Sequence, residues 1–139
     1  MKQFILGIDE LEPLIAELKA NVREGVVILS GDLAAGKTTL VKEIVNSLGV
    51  SDSVTSPTFS LQQCYGDRIF HYDIYNHGLE HFISLGMLEE LDKKGVHFVE
   101  WGDEELLKIL EGAGIPAVVI EIDKMPDNKR EYRINYAYA

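Results

Sequence analysis

The sequence has few of the residues that define several protein classes. Its 139 residues include one cysteine, one tryptophan and four prolines. A single cysteine excludes an intrachain disulfide and a zinc site made from several cysteines. We expect this residue, Cys64, to lie buried or half-buried in a strand. The sequence also lacks an apolar run of the roughly 18 residues that a membrane-spanning helix requires.

Basic residues are in the minority. Lys and Arg total 13 against 23 Asp and Glu, which gives a formal net charge of −10. A protein that binds nucleic acid by itself usually has a basic face, so we expect no strong direct nucleic-acid binding. Acidic Asp9, Glu10 and Glu12 follow a short N-terminal apolar stretch that has no signal-peptide pattern. We therefore expect a cytoplasmic protein without membrane attachment. The negative charge is also compatible with a partner that has a basic surface.

The rest of the composition is that of an ordinary globular protein. Hydrophobic residues make up 46% and charged residues 26% of the chain. These fractions argue against wholesale disorder. Because there is no linker-like tract or internal repeat, we predict a single domain over residues 1–139.

The spacing of apolar residues predicts strands that alternate with helices. Continuous apolar runs such as residues 26–30 are typical of strands buried on both faces of a parallel sheet. We predict strands at 4–6, 26–30, 59–65, 69–74, 96–99, 117–122 and 132–138, and helices at 9–22, 38–48, 79–93 and 103–111. We expect Asp9 and Asp103 to cap two of these helices and Gly112 to end the last one.

The strongest motif lies between the second predicted strand and its helix. Gly31-Asp32-Leu33-Ala34-Ala35-Gly36-Lys37-Thr38 matches the P-loop pattern G-x-x-x-x-G-K-S/T. Such a loop turns its backbone N–H groups inward around phosphate, and the following helix adds its positive N-terminal end. We expect Lys37 to bridge the β- and γ-phosphates and the Thr38 hydroxyl to ligate Mg²⁺. The fold class that follows is α/β: a single P-loop NTPase-like domain with a mixed, largely parallel central sheet flanked by helices.

Two short segments bear on which nucleotide binds. Residues 128–131 approximate the guanine-reading pattern N-K-x-D, but they fall in the turn of the predicted terminal hairpin. Residues 92–95 fit D-x-x-G, but they follow a helix and not a buried strand. We interpret both as accidental matches, so ATP is the expected nucleotide.

Acidic and hydroxyl residues that could complete the site lie elsewhere in the chain. Asp73 and Glu100 end apolar strand patterns, where α/β folds gather their ligands. Thr58 follows Ser56-Pro57 at the place where P-loop enzymes often carry a switch. For each acid a solvated strand end, and for the Ser-Pro segment a simple turn, remains the alternative. His71 and His97 lie inside predicted strands without zinc-ligand spacing, so we expect core or face positions.

Five motifs, taken together, resemble the TsaE (YjeE) family of small bacterial ATPases needed to make threonylcarbamoyladenosine in transfer RNA. They occur in the family's order: the P-loop with Thr39, then Thr55-Ser56-Pro57-Thr58-Phe59, His71-Tyr72-Asp73-Ile74-Tyr75, Leu85-Gly86 and Val99-Glu100-Trp101. The resemblance runs from about residue 9 to the terminal hairpin, which is nearly the whole chain.

The resemblance implies a role for each matching position. The nucleotide site would comprise the loop, the start of its helix and one N-terminal acid: Gly31, Asp32, Leu33, Ala34, Ala35, Gly36, Lys37, Thr38, Thr39 and Glu10. Catalytic roles would fall on Lys37, Thr58, Asp73 and Glu100. Thr38 and Glu100 would hold Mg²⁺. The implied partners are the threonylcarbamoyl transferase subunit and its catalytically silent companion protein.

The chain departs from the family pattern at two positions, and its P-loop is also compatible with two other functions. The family usually has Gly where this chain has Ala34, and Arg where it has Asn76. A nucleotide-dependent switch or binding module with little hydrolysis would share the P-loop. A small-molecule kinase would also share it, but the four arginines do not form a recognisable phosphate-reading lid.

Overall fold

The computed structural model describes residues 2–7, 9–22, 24–31, 36–47, 62–65, 69–74, 80, 83–84, 86–100 and 104–138. In chain order the elements are β1 (Lys2–Gly7), α1 (Glu12–Asn21), β2 (Gly25–Gly31), α2 (Lys37–Ser47), β3 (Gln62–Tyr65), β4 (Ile69–Asp73), α3 (Met87–Leu91), β5 (Val96–Glu100), α4 (Glu104–Ala113), β6 (Ala117–Met125) and β7 (Lys129–Tyr138). The predicted alternation of strands and helices is confirmed for these residues.

The strands form one seven-stranded mixed sheet in the order β1-β7-β6-β2-β5-β4-β3. The four central strands, β6, β2, β5 and β4, are parallel to their neighbours within that group. The outer strands add antiparallel pairs: β1 with β7, β7 with β6, and β3 with β4. The expected α/β class is confirmed, and the parallel part occupies the centre of the sheet.

Helices cover both faces of the sheet. On one face α1 and α2 pack against one set of strand residues, among them Val27 and Leu29. On the other face α3 and α4 pack against the alternate set, which includes Val26 and Ile28. Successive strand residues point to opposite faces, so residues 26–29 of β2, which pack into the two clusters in turn, are apolar at every position. This explains the continuous run that predicted it.

The first helix begins later than predicted. Its N-cap is Leu11, with no side-chain capping hydrogen bond, so the prediction of Asp9 as the cap is wrong. Asp9 lies in a turn in which the Glu10 N–H donates to the Gly7 carbonyl at 3.0 Å, and the first helical bond runs from the Ile15 N–H to Leu11. The expected proline in the first helical turn is confirmed.

The predicted continuous helix over 79–93 is also wrong. Gly86 has a φ of 76°, in the left-handed region, and α3 starts directly after it. A right-handed helix cannot continue through such a residue, although the apolar spacing runs across it. The Gly86 N–H donates to the Ile83 carbonyl in a turn at this point.

The last helix passes through Gly112, where the sequence predicted its end. It ends instead at Gly114, which has a φ of 72°. The Gly114 N–H donates to the Glu111 carbonyl and the Ile115 N–H to the Leu110 carbonyl, at 3.1 and 3.0 Å. This pair of bonds is the Schellman motif, which requires a residue that tolerates positive φ. The expected Asp103 cap lies outside the described residues.

Two further expectations differ in detail. Cys64 is exposed on the edge strand β3, so the prediction that it would be buried or half-buried is wrong. The terminal hairpin is longer than predicted because its turn is confined to residues 126–128. Asp127 and Asn128 adopt positive φ there, which short polar side chains tolerate.

No helix in the described part of the chain is long and apolar enough to cross a membrane.

The two glycines of the last helix give a matched test of its end. We expect Gly112→Ala to raise the free energy of unfolding by about 0.5–1 kcal/mol, because open space surrounds the added methyl group. We expect Gly114→Ala to lower it by about 1–2 kcal/mol, because its φ strains any L side chain. Urea denaturation measures both. The reverse order would place the helix end at Gly112.

Candidate functional site

Two of the predicted site residues, Asp73 and Glu100, lie at the carboxyl ends of the central parallel strands. Leu29 of β2 and Asp73 of β4 both pair in register with Glu100 of β5. The Ile74 N–H donates to the Glu100 carbonyl at 3.1 Å and extends this pairing past the end of β4. The ends of β2, β5 and β4 therefore lie side by side, which is where α/β folds place their ligands.

Lys37 opens α2 and turns back over the end of β2. Its side chain is 3% exposed, and its ammonium donates to the Gly31 carbonyl at 2.8 Å. The helix begins with the Leu40 N–H donating to the Gly36 carbonyl at 3.0 Å. Gly36 has a φ of 102°, and a Cβ built there meets nothing within 4 Å. Gly36 thus leaves open space at the N-terminus of an eleven-residue helix, which favours a bound anion.

Thr38 and Glu100 form the second part of the site. The Thr38 hydroxyl donates to the Glu100 carboxylate, with Oγ1 lying 3.1 Å from Oε2 and 3.4 Å from Oε1. Glu100 is 4% exposed, so the carboxylate is nearly removed from water. Hydroxyl and carboxylate oxygens are ligands that Mg²⁺ prefers, so this pair fits the expected metal.

The described residues contain no cluster of three or more His, Cys, Asp or Glu side chains that could hold a metal ion. A magnesium ion at Thr38 and Glu100 would therefore need further oxygen ligands from a bound phosphate or from water. This is the usual arrangement for Mg²⁺ in nucleotide sites, where substrate phosphates complete the coordination.

His71 is a contact of the site that the sequence did not assign to it. Its Nε2 hydrogen-bonds Glu100 Oε2, and the ring is fully buried. The expectation of a core position is confirmed, but the sequence indicated no role. The contact follows from the strand register, which the sequence does not give: His71 pairs with Phe98, two residues before Glu100 on the adjacent strand. Residues two apart on neighbouring strands share a face and can touch.

The positions of the other predicted site residues are described by their elements of the fold. Asp73 ends β4 with its backbone beside Glu100. Thr39 is half-buried in the first turn of α2. Glu10 follows β1 at the same edge of the sheet, but β1 lies three strands from β2, roughly 14 Å at the usual strand spacing. Its carboxylate accepts from the Gly7 N–H at 3.2 Å.

Several expectations fall outside the described residues. They are the loop positions Asp32, Leu33, Ala34 and Ala35, the switch residue Thr58, the departure at Asn76, and Trp101 after the metal acid. The guanine-like segment 128–131 lies in the terminal turn and the start of β7, and residues 92–95 connect α3 to β5.

Comparison with known proteins identifies the family. The family model for "Threonylcarbamoyl adenosine biosynthesis protein TsaE" matches residues 7–132. The chain belongs to the TsaE family. The resemblance drawn from the five motifs is thereby confirmed.

Individual relatives agree with this assignment. The tRNA threonylcarbamoyladenosine biosynthesis protein TsaE of Treponema pallidum is 37% identical over 112 residues, which cover 78% of this chain and 80% of that protein. The protein of the same name from Rickettsia conorii is 35% identical over 127 residues, covering 87% and 68%. The crystal structure of Bacillus subtilis YdiB matches with a TM-score of 0.66 and 27% identity, covering 94% of this chain and 83% of YdiB.

A second buried histidine of this TsaE-family chain lies on the opposite face of the sheet from His71 and Glu100. His97 Nε2 donates to the Lys93 carbonyl at 2.8 Å, so its Nδ1 accepts from the Tyr72 hydroxyl, also at 2.8 Å. Gln62 donates to the Tyr72 oxygen at 3.0 Å, and Phe70 stacks on the imidazole. Burial raises the pKa of Tyr72 and lowers the pKa of His97. This network joins β3, β4 and β5 without touching Glu100.

The lowered pKa of His97 predicts weaker stability in acid. The folded protein favours the neutral ring, so the unfolded chain binds more protons and the free energy of unfolding rises with pH. The contribution is complete above about pH 6.5 and is lost as the pH falls through the lowered pKa. We expect His97→Gln to show a smaller decrease in stability between pH 7.5 and pH 5 than the unchanged protein. Urea denaturation across this range measures the difference, and parallel curves would contradict it.

Proposed function

We propose that this TsaE-family chain binds and hydrolyses ATP with Mg²⁺. We further propose that it supports threonylcarbamoyl transfer to the adenosine beside the transfer-RNA anticodon by acting on the transferase complex. The observation that carries the proposal is the meeting of Lys37, Thr38 and Glu100 at the ends of two adjacent parallel strands. The relatives' names place those proteins in threonylcarbamoyladenosine biosynthesis.

The phosphates would bind at the start of α2. Lys37 would exchange the Gly31 carbonyl for the β- and γ-phosphate oxygens, which are stronger acceptors because they carry charge. The backbone N–H groups of residues 31–36 and the N-terminal end of α2 would contact the remaining phosphate oxygens. Open space at Gly36 leaves room for this close approach.

Thr38 and Glu100 would hold Mg²⁺ between them and the phosphates. The ion, when bound, would neutralise charge on the phosphate oxygens. Glu100 is ready for this role because its carboxylate already faces the Thr38 hydroxyl. Asp73, at the neighbouring strand end, would orient the attacking water or the γ-phosphate. Thr58 would belong to the switch that responds to that phosphate, and Glu10 would lie toward the base.

Partner proteins would supply an arginine that the described part of the chain does not bring to the site. Phosphoryl transfer commonly uses an arginine to offset developing charge, which changes the rate by about 10³–10⁵. Arg133 is held on β7 by Glu121, Asp123 and Glu131. A net charge of −10 favours a basic docking partner. We propose the transferase subunit and its catalytically silent companion as these partners.

Alanine substitutions at two lysines of α2 distinguish the loss of the phosphate site from the loss of one positive charge. Lys37→Ala should abolish detectable ATP binding, because it removes the buried ammonium at the phosphate position. Lys42→Ala, an exposed change on the same helix, should bind like the unchanged protein. Isothermal titration with ATP and Mg²⁺ makes the comparison, with circular dichroism as the folding control. Equal affinity in the Lys37 variant would refute the phosphate site.

Phosphate release distinguishes an ATPase from the alternatives. We expect the isolated chain to release phosphate at well below roughly 1 s⁻¹, the low end of ordinary enzymes, and the purified partner complex to accelerate it. Asp73→Asn should reduce the accelerated rate more than it weakens ATP binding. Binding without any release, even with partners, would indicate a switch. Transfer of phosphate to an added acceptor would indicate a kinase, and fast release by the chain alone would contradict the need for partners.

A further inference from the structure

The Glu100 carboxylate receives two donors at one oxygen. Oε2 accepts from the Thr38 hydroxyl at 3.1 Å and from His71 Nε2. A carboxylate can only accept hydrogen bonds, so His71 must carry a proton on Nε2. His71 is fully buried and Glu100 is 4% exposed, so water contributes little to fixing this oxygen. Among the residues that the structure describes, these two side chains orient the carboxylate.

Tyr65 supports His71 from the next strand. The Tyr65 hydroxyl lies 3.3 Å from His71 Nδ1 and 2.6 Å from Gln63 Oε1, and it can donate its one proton to either acceptor. Tyr65 is 3% exposed, and its ring lies 6.1 Å from the imidazole, centroid to centroid. Contacts at both ring nitrogens restrict how the imidazole can turn. A row of side chains thus runs from the edge strand β3 through β4 to the site acid on β5.

We propose that His71 is a positioning residue for Glu100, supported by Tyr65, and that it aims the carboxylate at the metal position beside Thr38. This inference rests on the proposed function, in which Thr38 and Glu100 hold Mg²⁺. Donors that orient a metal-binding side chain typically change metal affinity by about 10–100-fold when removed. Without His71, the buried carboxylate loses a donor and is free to rotate away from Thr38.

The chain contains its own control for this role. His97 is as fully buried as His71, lies on the adjacent strand and also contacts a tyrosine hydroxyl. Its Nε2 proton, however, is donated to the Lys93 backbone carbonyl on the other face of the sheet. Loss of either ring perturbs the core, but only loss of His71 changes the surroundings of Glu100.

The test compares His71→Asn, His71→Gln and His97→Asn. A glutamine amide reaches about as far as Nε2 and keeps a donor near Glu100, whereas an asparagine amide reaches only about as far as Nδ1. The measured quantity is the ratio of ATP affinity with Mg²⁺ to ATP affinity with EDTA. We expect the ratio to fall about tenfold or more in His71→Asn, to recover largely in His71→Gln, and to stay within about twofold in His97→Asn.

The outcomes separate this inference from the function on which it rests. An unchanged ratio in His71→Asn, or an equal fall in His97→Asn, overturns the positioning role while the nucleotide site stands. A wild-type ratio near one overturns the metal site itself. If His71→Asn does not fold, Tyr65→Phe takes its place, and it should lower the ratio without changing affinity in EDTA.

A measurement without nucleotide gives an independent check. In ¹⁵N NMR of the ligand-free protein, we expect the His71 Nε2 to carry a slowly exchanging proton whose signal moves in Glu100→Gln. The His97 signal should stay in place in the same variant. An unprotonated His71 Nε2, or a signal indifferent to Glu100→Gln, overturns the inference.

Discussion

The site depends on the pairing of β2 with a parallel neighbour on each side. β5 and β6 flank β2, and β4 continues the parallel group beyond β5. Parallel strands end at one edge, so this pairing alone brings the end of β2 next to Glu100 and the end of β4. A register slip of one residue in β5 would turn Glu100 to the opposite face, away from Thr38. The core packing that fixes this register therefore also fixes the position of Glu100 relative to Thr38.

Burial of charge at this edge requires that each group have a partner. Lys37 and Glu100 are almost fully buried, and an unpaired charge in such a position would cost several kcal/mol. Lys37 is satisfied by the Gly31 carbonyl, and Glu100 by Thr38 and His71. Each buried charge at this edge is thus compensated by hydrogen bonds from neighbouring elements of the fold.

Sequence reasoning predicted the features that follow from local pattern. The apolar run of β2 followed by the P-loop pattern specifies a buried parallel strand, a turn and a helix. The strand and the helix lie in the described residues, and the loop positions 32–35 lie outside them. Helix ends were less predictable because several glycines compete for each end. Gly112 tolerates the helical conformation, whereas Gly86 and Gly114 have positive φ. The apolar spacing alone does not distinguish these glycines from one another.

His71 and His97 illustrate what a strand pattern leaves undetermined. Both are histidines within short strands between apolar residues, and both are fully buried beside a tyrosine. Their difference arises only from pairing: β4 and β5 align His71 with Phe98, so that it shares the face of Glu100. His97 is one residue before Phe98 and therefore faces Tyr72 and Lys93 instead. A shift of one residue in register therefore decides whether a histidine contacts Glu100 or the opposite face of the sheet. The residues next to each histidine in the sequence do not encode this difference.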